Sequence, residues 1–377
     1  MILLILVSIL QIFFMLYMAL QWSIGEKTKS IEQDYSSVIP KECSYHYKKF
    51  SIEDIDTKEI NRNITKLKID HIYFIHGTFV GDDPFDILSF LERAFPSLAG
   101  NIIDKLRAQI KTGNNLFARE LGNFHPNLIK RLKEICPKET RFENFTWSSS
   151  NHHIARLRGS LNLMKSIHMN TSQDERILLY GHSHAGQLFT LLSQLLSKSI
   201  VSSQLKEILL KNDISNEELE GLIASCKKRK FDFVTLGTPV RYTWNNKSFS
   251  NSTLLHFINH RGSTPMGGGL TSSISTKNGD YIQQWAVAGS DSKSPVKEDQ
   301  KLNEELDLIL GIGRDSTMLR RNIKFRKRLH KYGEHILVDF GDNSRVPNSF
   351  LTVFGHGIYT KKDPMLWIIH QSLRKIK

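Results

Sequence analysis

Cysteine is nearly missing from this chain: three in 377 residues, at Cys43, Cys136 and Cys226. No two of them have metal-ligand spacing, and an odd number builds no disulfide framework, so they read as reduced thiols. Acid is also scarce relative to base. Lys and Arg number 51 against 38 Asp and Glu, a formal net charge of +13. Such a balance suits nucleic acid, an anionic membrane or an acidic substrate, or simply a solvated lysine-rich surface. The aromatics that interleave with basic residues in nucleic-acid modules are sparse here and no such module is evident, so nucleic acid is not an expected partner. There is no internal repeat. A hydrophobic content of 40% with 24% charged residues excludes a disordered chain. The length suffices for one large domain with a substantial core, or for two smaller ones.

Charge is absent altogether from Met1 to Trp22, MILLILVSILQIFFMLYMALQW. As a helix rising about 1.5 Å per residue, this run spans roughly the hydrocarbon thickness of a bilayer. Trp22 falls where an interfacial aromatic belongs. The expectation is an N-terminal transmembrane helix. The rival is a secretory leader cleaved near Ser23-x-Gly25, against which stand the missing basic n-region and the length of the run. Lys27, Lys29 and Lys41 follow the span. By the positive-inside rule they would leave the large domain on the cytoplasmic side.

Residues 23–68 are polar and mixed, and read as a linker. From there, short apolar, β-branched and aromatic runs alternate with helical stripes. HIYFI, RFENFTW, RILLY, FDFVTL, STLLHFINH and HILVDFGD read as strands. DPFDILSFLERAF, residues 101–138, HIARLRGSLNLM, the leucine stripe from Leu188 to Leu196, residues 203–230 and the stretch around Leu366 to Ile369 read as helices. This alternation predicts an α/β fold with a mostly parallel sheet flanked by helices. Ligands in such sheets bind beyond the carboxyl ends of the strands. Chemistry is therefore sought just after each strand-like run.

Those positions carry His76-Gly77-Thr78, the serine cluster after Trp147, Gly181-His182-Ser183-His184-Ala185, Leu236-Gly237-Thr238-Pro239, Asp339 and Asp342, and the later Gly355-His356-Gly357. A serine between a strand and a helix, framed by small residues, suits a tight turn that tolerates positive φ and displays the hydroxyl. The amide of His184 would then face a developing oxyanion from a helix start, with the amide of Thr78 or Phe79 as second donor. A serine needs an imidazole to take its proton, and the imidazole needs an acid behind it.

The set resembles the α/β-hydrolase superfamily, and within it lipase- and esterase-like members. The resemblance covers roughly residues 68–377 and rests on G-x-S-x-A, the upstream His-Gly turn, Leu-Gly-Thr-Pro-Val and the chain order Ser, Asp, His. It departs from the common motif in having Ala185 where a second glycine is usual. The resemblance implies an α/β-hydrolase domain over residues 69–377, with Ser183 as nucleophile, His356 as base and an oxyanion hole from Thr78 and His184. The acid stays open between Asp342 and Asp339, with Asp291 in WAVAGSDS a third choice. It also implies hydrolysis of a carboxylic ester with no metal or organic cofactor, and the anchor and basic surface point to a lipid or other membrane-derived ester as substrate. A thioesterase or amidase would use the same residues; a hydrolase-like fold kept as a tethered interaction module is the non-catalytic rival. Residues 264–333, with Gly267-Gly268-Gly269 and the basic run RRNIKFRKRLHK, read as a lid or cap, or as a surface excursion. The basic run suits anionic lipid headgroups. His182 and His184, with His152 and His153, offer ring nitrogens to a metal, but a pair flanking a sharp turn diverges and no acid or cysteine cluster accompanies it.

Overall fold

The computed structural model describes residues 44–78, 81–83, 88, 105, 107–109, 111–112, 122–249, 251–261, 279–285, 293–311, 329–341 and 355–377. The expected membrane span, residues 1–22, lies outside them. Among the described residues no helix is long and apolar enough to cross a membrane.

The strands are β1 (Ser44–Lys49), β2 (His71–Ile75), β3 (Arg141–Phe145), β4 (Arg176–His182), β5 (Lys230–Leu236), β6 (Leu254–Asn259) and β7 (Glu334–Asp339). They form one seven-stranded sheet in the order β1-β7-β6-β5-β4-β2-β3, and every pairing is parallel. The α/β reading of the sequence therefore holds at the level of sheet and layers.

Both faces of the sheet are covered, which explains why the strands read as unbroken apolar runs. Ile177 and Leu179 of β4, with Tyr73 and Ile75 of β2, pack into one core. That core is shared with α3 (His153–Asn170), α4 (Ala185–Leu195), α5 (Ile200–Asn212), α6 (Asn216–Lys227) and α8 (Lys297–Leu310). Leu178 and Tyr180, with Ile72 and Phe74, pack into the opposite core. There they meet α1 (Thr57–Leu67), α2 (Pro126–Ile135) and α9 (Lys362–Leu373). A short helix, α7 (Tyr281–Trp285), lies between β6 and α8 in the chain.

Part of the stretch read as a linker belongs to this domain. Residues 44–49 are the edge strand beside β7, and Asp56 caps α1, accepting from the Lys58 and Glu59 amides at 2.9 and 3.0 Å. Part of the stretch read as a lid is packed too. The α8 residue Asn303 accepts from the Ile154 amide at 2.9 Å, and Asp299 pairs with Arg158 of α3 at 2.8 Å. The basic run before Lys331 falls almost wholly outside the described residues.

One ion pair is shut inside the sheet. Arg176 Nε donates to Asp232 Oδ2 at 2.7 Å, and Asp232 Oδ1 accepts from the Thr253 amide at 2.8 Å, with Asp232 fully buried. Removing Asp232 takes the carboxylate from Arg176, whose other donors go to the Leu67 and Lys377 oxygens, and takes the acceptor from the Thr253 amide. Asp232→Ala is expected to destabilise the fold by about 3–5 kcal/mol, read as a lowered urea midpoint.

Acid sensitivity is built in as well. Burial, first of all, pushes His71 down to about 4, His330 to about 4 and His335 to about 3. His256, stacked between His330 and His335 at 4.3 and 4.6 Å, is held well below its ordinary value by the same cause. These rings are neutral in the fold but titrate near pH 6.5 once unfolded. Below about pH 6.5 the unfolded chain binds more protons, so stability falls as pH drops toward the folded values. The slope is about 1.4 kcal/mol per pH unit for each such histidine. The urea midpoint is expected to be lower at pH 5 than at pH 7.

Candidate active site

The strand order reverses between β2 and β4: from β2 the chain steps outward to β3, then returns to β4 and runs the other way through β5, β6 and β7. Crevices form at such a switch point, outside the carboxyl ends of the strands. Ile75 and Gly181 are partners in the register there. The segments that follow them, His76-Gly77-Thr78 and His182-Ser183-His184, are therefore neighbours.

Ser183 sits between β4 and α4 with φ of +55°, a left-handed conformation that L-residues adopt at a cost of about 1–2 kcal/mol. The turn is held from both sides. The Ser183 amide donates to Leu236 O at 2.9 Å, and Thr238 Oγ1 donates to Ser183 O at 2.8 Å. Small residues give the clearance: a Cβ on Gly181 would stand 2.6 Å from the Phe189 ring. His184 is the N-cap of α4, where backbone N–H groups gather without intrahelical acceptors.

The loop after β2 is pressed onto this turn. A Cβ on Gly77 would lie 3.0 Å from Ser183 Cβ. Thr78 Oγ1 is hydrogen-bonded to His184 Nδ1, so the two residues expected to form an oxyanion hole are in contact. Trp147 Nε1 donates to His76 O at 3.0 Å and pins the loop from below. The serines after Trp147 extend the anchoring: Ser149 Oγ accepts from the Gly81 amide and Ser150 Oγ donates to Asp83 O, both at 2.8 Å.

His356 follows Gly355 and is 7% exposed. Its Nδ1 donates to Asp280 Oδ2 at 2.8 Å, and its Nε2 is buried with no hydrogen-bond partner among the described residues. Asp280 is fully buried. Its amide donates to Asn259 O at 2.9 Å, which sets it beside the end of β6, and its Oδ1 caps α7 by accepting from the Gln283 amide at 2.8 Å. Burial raises the Asp280 carboxyl, but the His356 ring, the Gln283 amide and the Tyr359 hydroxyl together hold it below the usual carboxylate value. Two left-handed glycines make room for the pair. A Cβ on Gly237, φ +60°, would stand 2.6 Å from Asp280 Oδ2, and one on Gly355, φ +80°, would stand 2.1 Å from Gly279 O.

Among the described residues the carboxylate on His356 is Asp280 and not Asp339. Asp339 ends β7, beyond β6 from the Ser183 turn and next to β1. It accepts from the Gly341 amide at 2.9 Å and the Tyr47 hydroxyl at 3.3 Å, with Arg261 Nε at 3.4 Å. The end of β7 is three strand spacings, about 14 Å, from the end of β4, whereas Asp280 is hydrogen-bonded to β6. Asp342 and Asp291 lie outside the described residues. Asp280 was missed although Gly279-Asp280 before YIQQW carries the turn-then-cap pattern of a helix start.

The histidines flanking Ser183 are structural neighbours of this pair. His182 Nε2 donates to His356 O at 2.8 Å and its ring lies 4.6 Å from the His356 ring. Burial, then the nearby His356, pushes His182 down to about 3. His184 is held well below its ordinary value by burial and then by the Arg156 and Arg241 guanidiniums. Both arginines are buried beside it around Tyr242. Arg156 Nη1 donates to the Tyr242 hydroxyl at 2.9 Å and Arg241 Nη2 lies 2.9 Å from His153 Nε2. His153 begins α3 and His152 caps it, accepting from the Ala155 amide at 3.3 Å. Among the described residues no group of three or more histidines, cysteines or carboxylates is placed to hold a metal ion.

The arrangement can take a proton at His356 Nε2, keep the other ring nitrogen on a carboxylate, and present a strained serine hydroxyl beside a helix N-terminus. No protein-family model, curated protein or solved structure matches the chain.

Proposed function

We propose that the protein is a serine hydrolase of α/β-hydrolase type that cleaves carboxylic esters through an acyl-enzyme on Ser183. The observation that carries this reading is the buried Asp280–His356 pair, whose Nε2, without a hydrogen-bond partner among the described residues, belongs to a ring packed against His182, the residue before the left-handed serine. In this reading His356 Nε2 takes the Ser183 proton as Oγ attacks the ester carbonyl. Nδ1–H stays on Asp280, which fixes the tautomer and stabilises the imidazolium. The amides of His184 and Thr78 receive the oxyanion, each such donor contributing about 3–4 kcal/mol to the transition state. His356 then returns the proton to the leaving alcohol, and water repeats the sequence on the acyl-enzyme.

Two further parts of the proposal concern placement. Residues 1–22 tether the domain to a membrane, supported by the charge-free run and Trp22. A membrane tether and a basic surface favour a lipid-derived ester. Carbonate extraction separates the anchor from the rest: the full chain stays with the membrane fraction and a chain starting at Glu26 is released. Release of both removes the anchor.

The test of the activity is a series of p-nitrophenyl esters of increasing acyl length. Ser183-dependent hydrolysis that rises with chain length supports a lipase-like enzyme. A folded protein inert to every ester, thioester and amide offered returns the fold to the non-catalytic alternative.

A further inference from the structure

The acid beside His356 is shared. Asp280 Oδ2 accepts from His356 Nδ1 at 2.8 Å and also from the Tyr359 hydroxyl at 2.9 Å. The direction of the second bond is fixed. Tyr359 Oη itself accepts from the Asn259 amide at 2.7 Å, so its own proton is the one directed at the carboxylate. Asn259 holds the segment at a second point, its Nδ2 donating to Gly355 O at 2.9 Å. Base and second donor therefore arrive on one pentapeptide, Gly355 to Tyr359, clamped at both ends by one residue of β6. The Tyr359 ring is fully buried, edge-on to Phe340 at 5.8 Å and to His356 at 6.4 Å.

We propose that Tyr359 is a positioning residue that sets the basicity of His356 by sharing the Asp280 oxygen that His356 uses. The inference rests on the serine-hydrolase reading. A carboxylate oxygen that already accepts one proton donor offers less electron density to a second. With the tyrosine in place, the carboxylate stabilises the imidazolium less than it would without that donor. The other groups around the ring do not compete for this role. Among the described residues His182 faces it from β4 and is neutral, and His184, bonded to Thr78, is neutral as well. The Gln283 amide donates to the other Asp280 oxygen.

The sign follows. Deleting the hydroxyl concentrates the carboxylate on His356, favours the imidazolium and raises the pH at which the free enzyme loses its base. In Tyr359→Phe the acid limb of kcat/KM against pH for a p-nitrophenyl ester should move up by about 0.5–1 unit. Replacing Tyr359 by 3,5-difluorotyrosine keeps the shape and strengthens the donor, so the limb should move down. A rate loss with the limb fixed in both variants would reduce Tyr359 to packing and overturn the proposal. The difluoro variant decides the matter if the phenylalanine variant folds poorly. Wild-type hydrolysis that depends on Ser183 while neither limb moves sinks this inference alone. A wild type that hydrolyses no ester sinks the serine-hydrolase reading and this inference with it.

Discussion

Ser183→Ala is expected to lower kcat/KM for ester hydrolysis by roughly 10⁴-fold or more, leaving only the acceleration that binding and the oxyanion amides supply. The loss belongs to chemistry and not to folding. Among the described residues the turn is held by backbone and neighbours, through the Ser183 amide on Leu236 O and Thr238 on Ser183 O, bonds that alanine keeps. Alanine also adopts φ of +55° at much the same penalty as serine, so the urea midpoint should stay close to that of the wild type. Activity that survives the substitution would remove Ser183 from the reaction whatever the fold.

The second large effect separates two aspartates. Asp280→Asn should lower kcat by about 10⁴-fold. An amide at this position can present its NH₂ to His356, which then accepts at Nδ1 and carries its proton on Nε2, the wrong tautomer for a base. Asp339→Asn should stay within about twofold of wild type, since its carboxylate faces Gly341, Tyr47 and Arg261. The two substitutions are equal in volume and chemistry, so the contrast reads position alone. Equal losses in both variants, or the larger loss at Asp339, would break the assignment of Asp280.

The contrast also shows what sequence can and cannot carry here. The elbow was legible because three local signals follow one another between Arg176 and Leu196: a doubly buried strand, a small-residue turn and a leucine stripe. His356 was legible from its glycines and its place after the serine. Asp280 was not, because the polar, glycine-rich stretch after β6 separates it from its strand, and only the hydrogen bond of its amide to Asn259 O returns it to the sheet. HILVDFGD drew the eye to Asp339 instead, since strand order, and hence the distance from β7 to β4, is a tertiary fact. The N-terminal elements failed for a different reason. β1 is SYHYKK, an edge strand with alternating exposure, and α1 buries only Ile60 and Ile64. A half-exposed edge carries little apolar pattern to read, although Asp56 as a helix cap was visible. The histidines beside Ser183 looked chemical in sequence; burial and their contacts with His356 and Thr78 make them part of the frame around the site.

The most direct measurement is covalent. The folded full-length protein is treated with a fluorophosphonate, digested, and the modified residue located by mass spectrometry. The expected result is one stoichiometric adduct on the peptide carrying Ser183, absent from Ser183→Ala and slowed strongly in Asp280→Asn. A folded protein that takes no adduct, or takes it on another serine at an undiminished rate in Ser183→Ala, would contradict the assignment of Ser183 as the nucleophile.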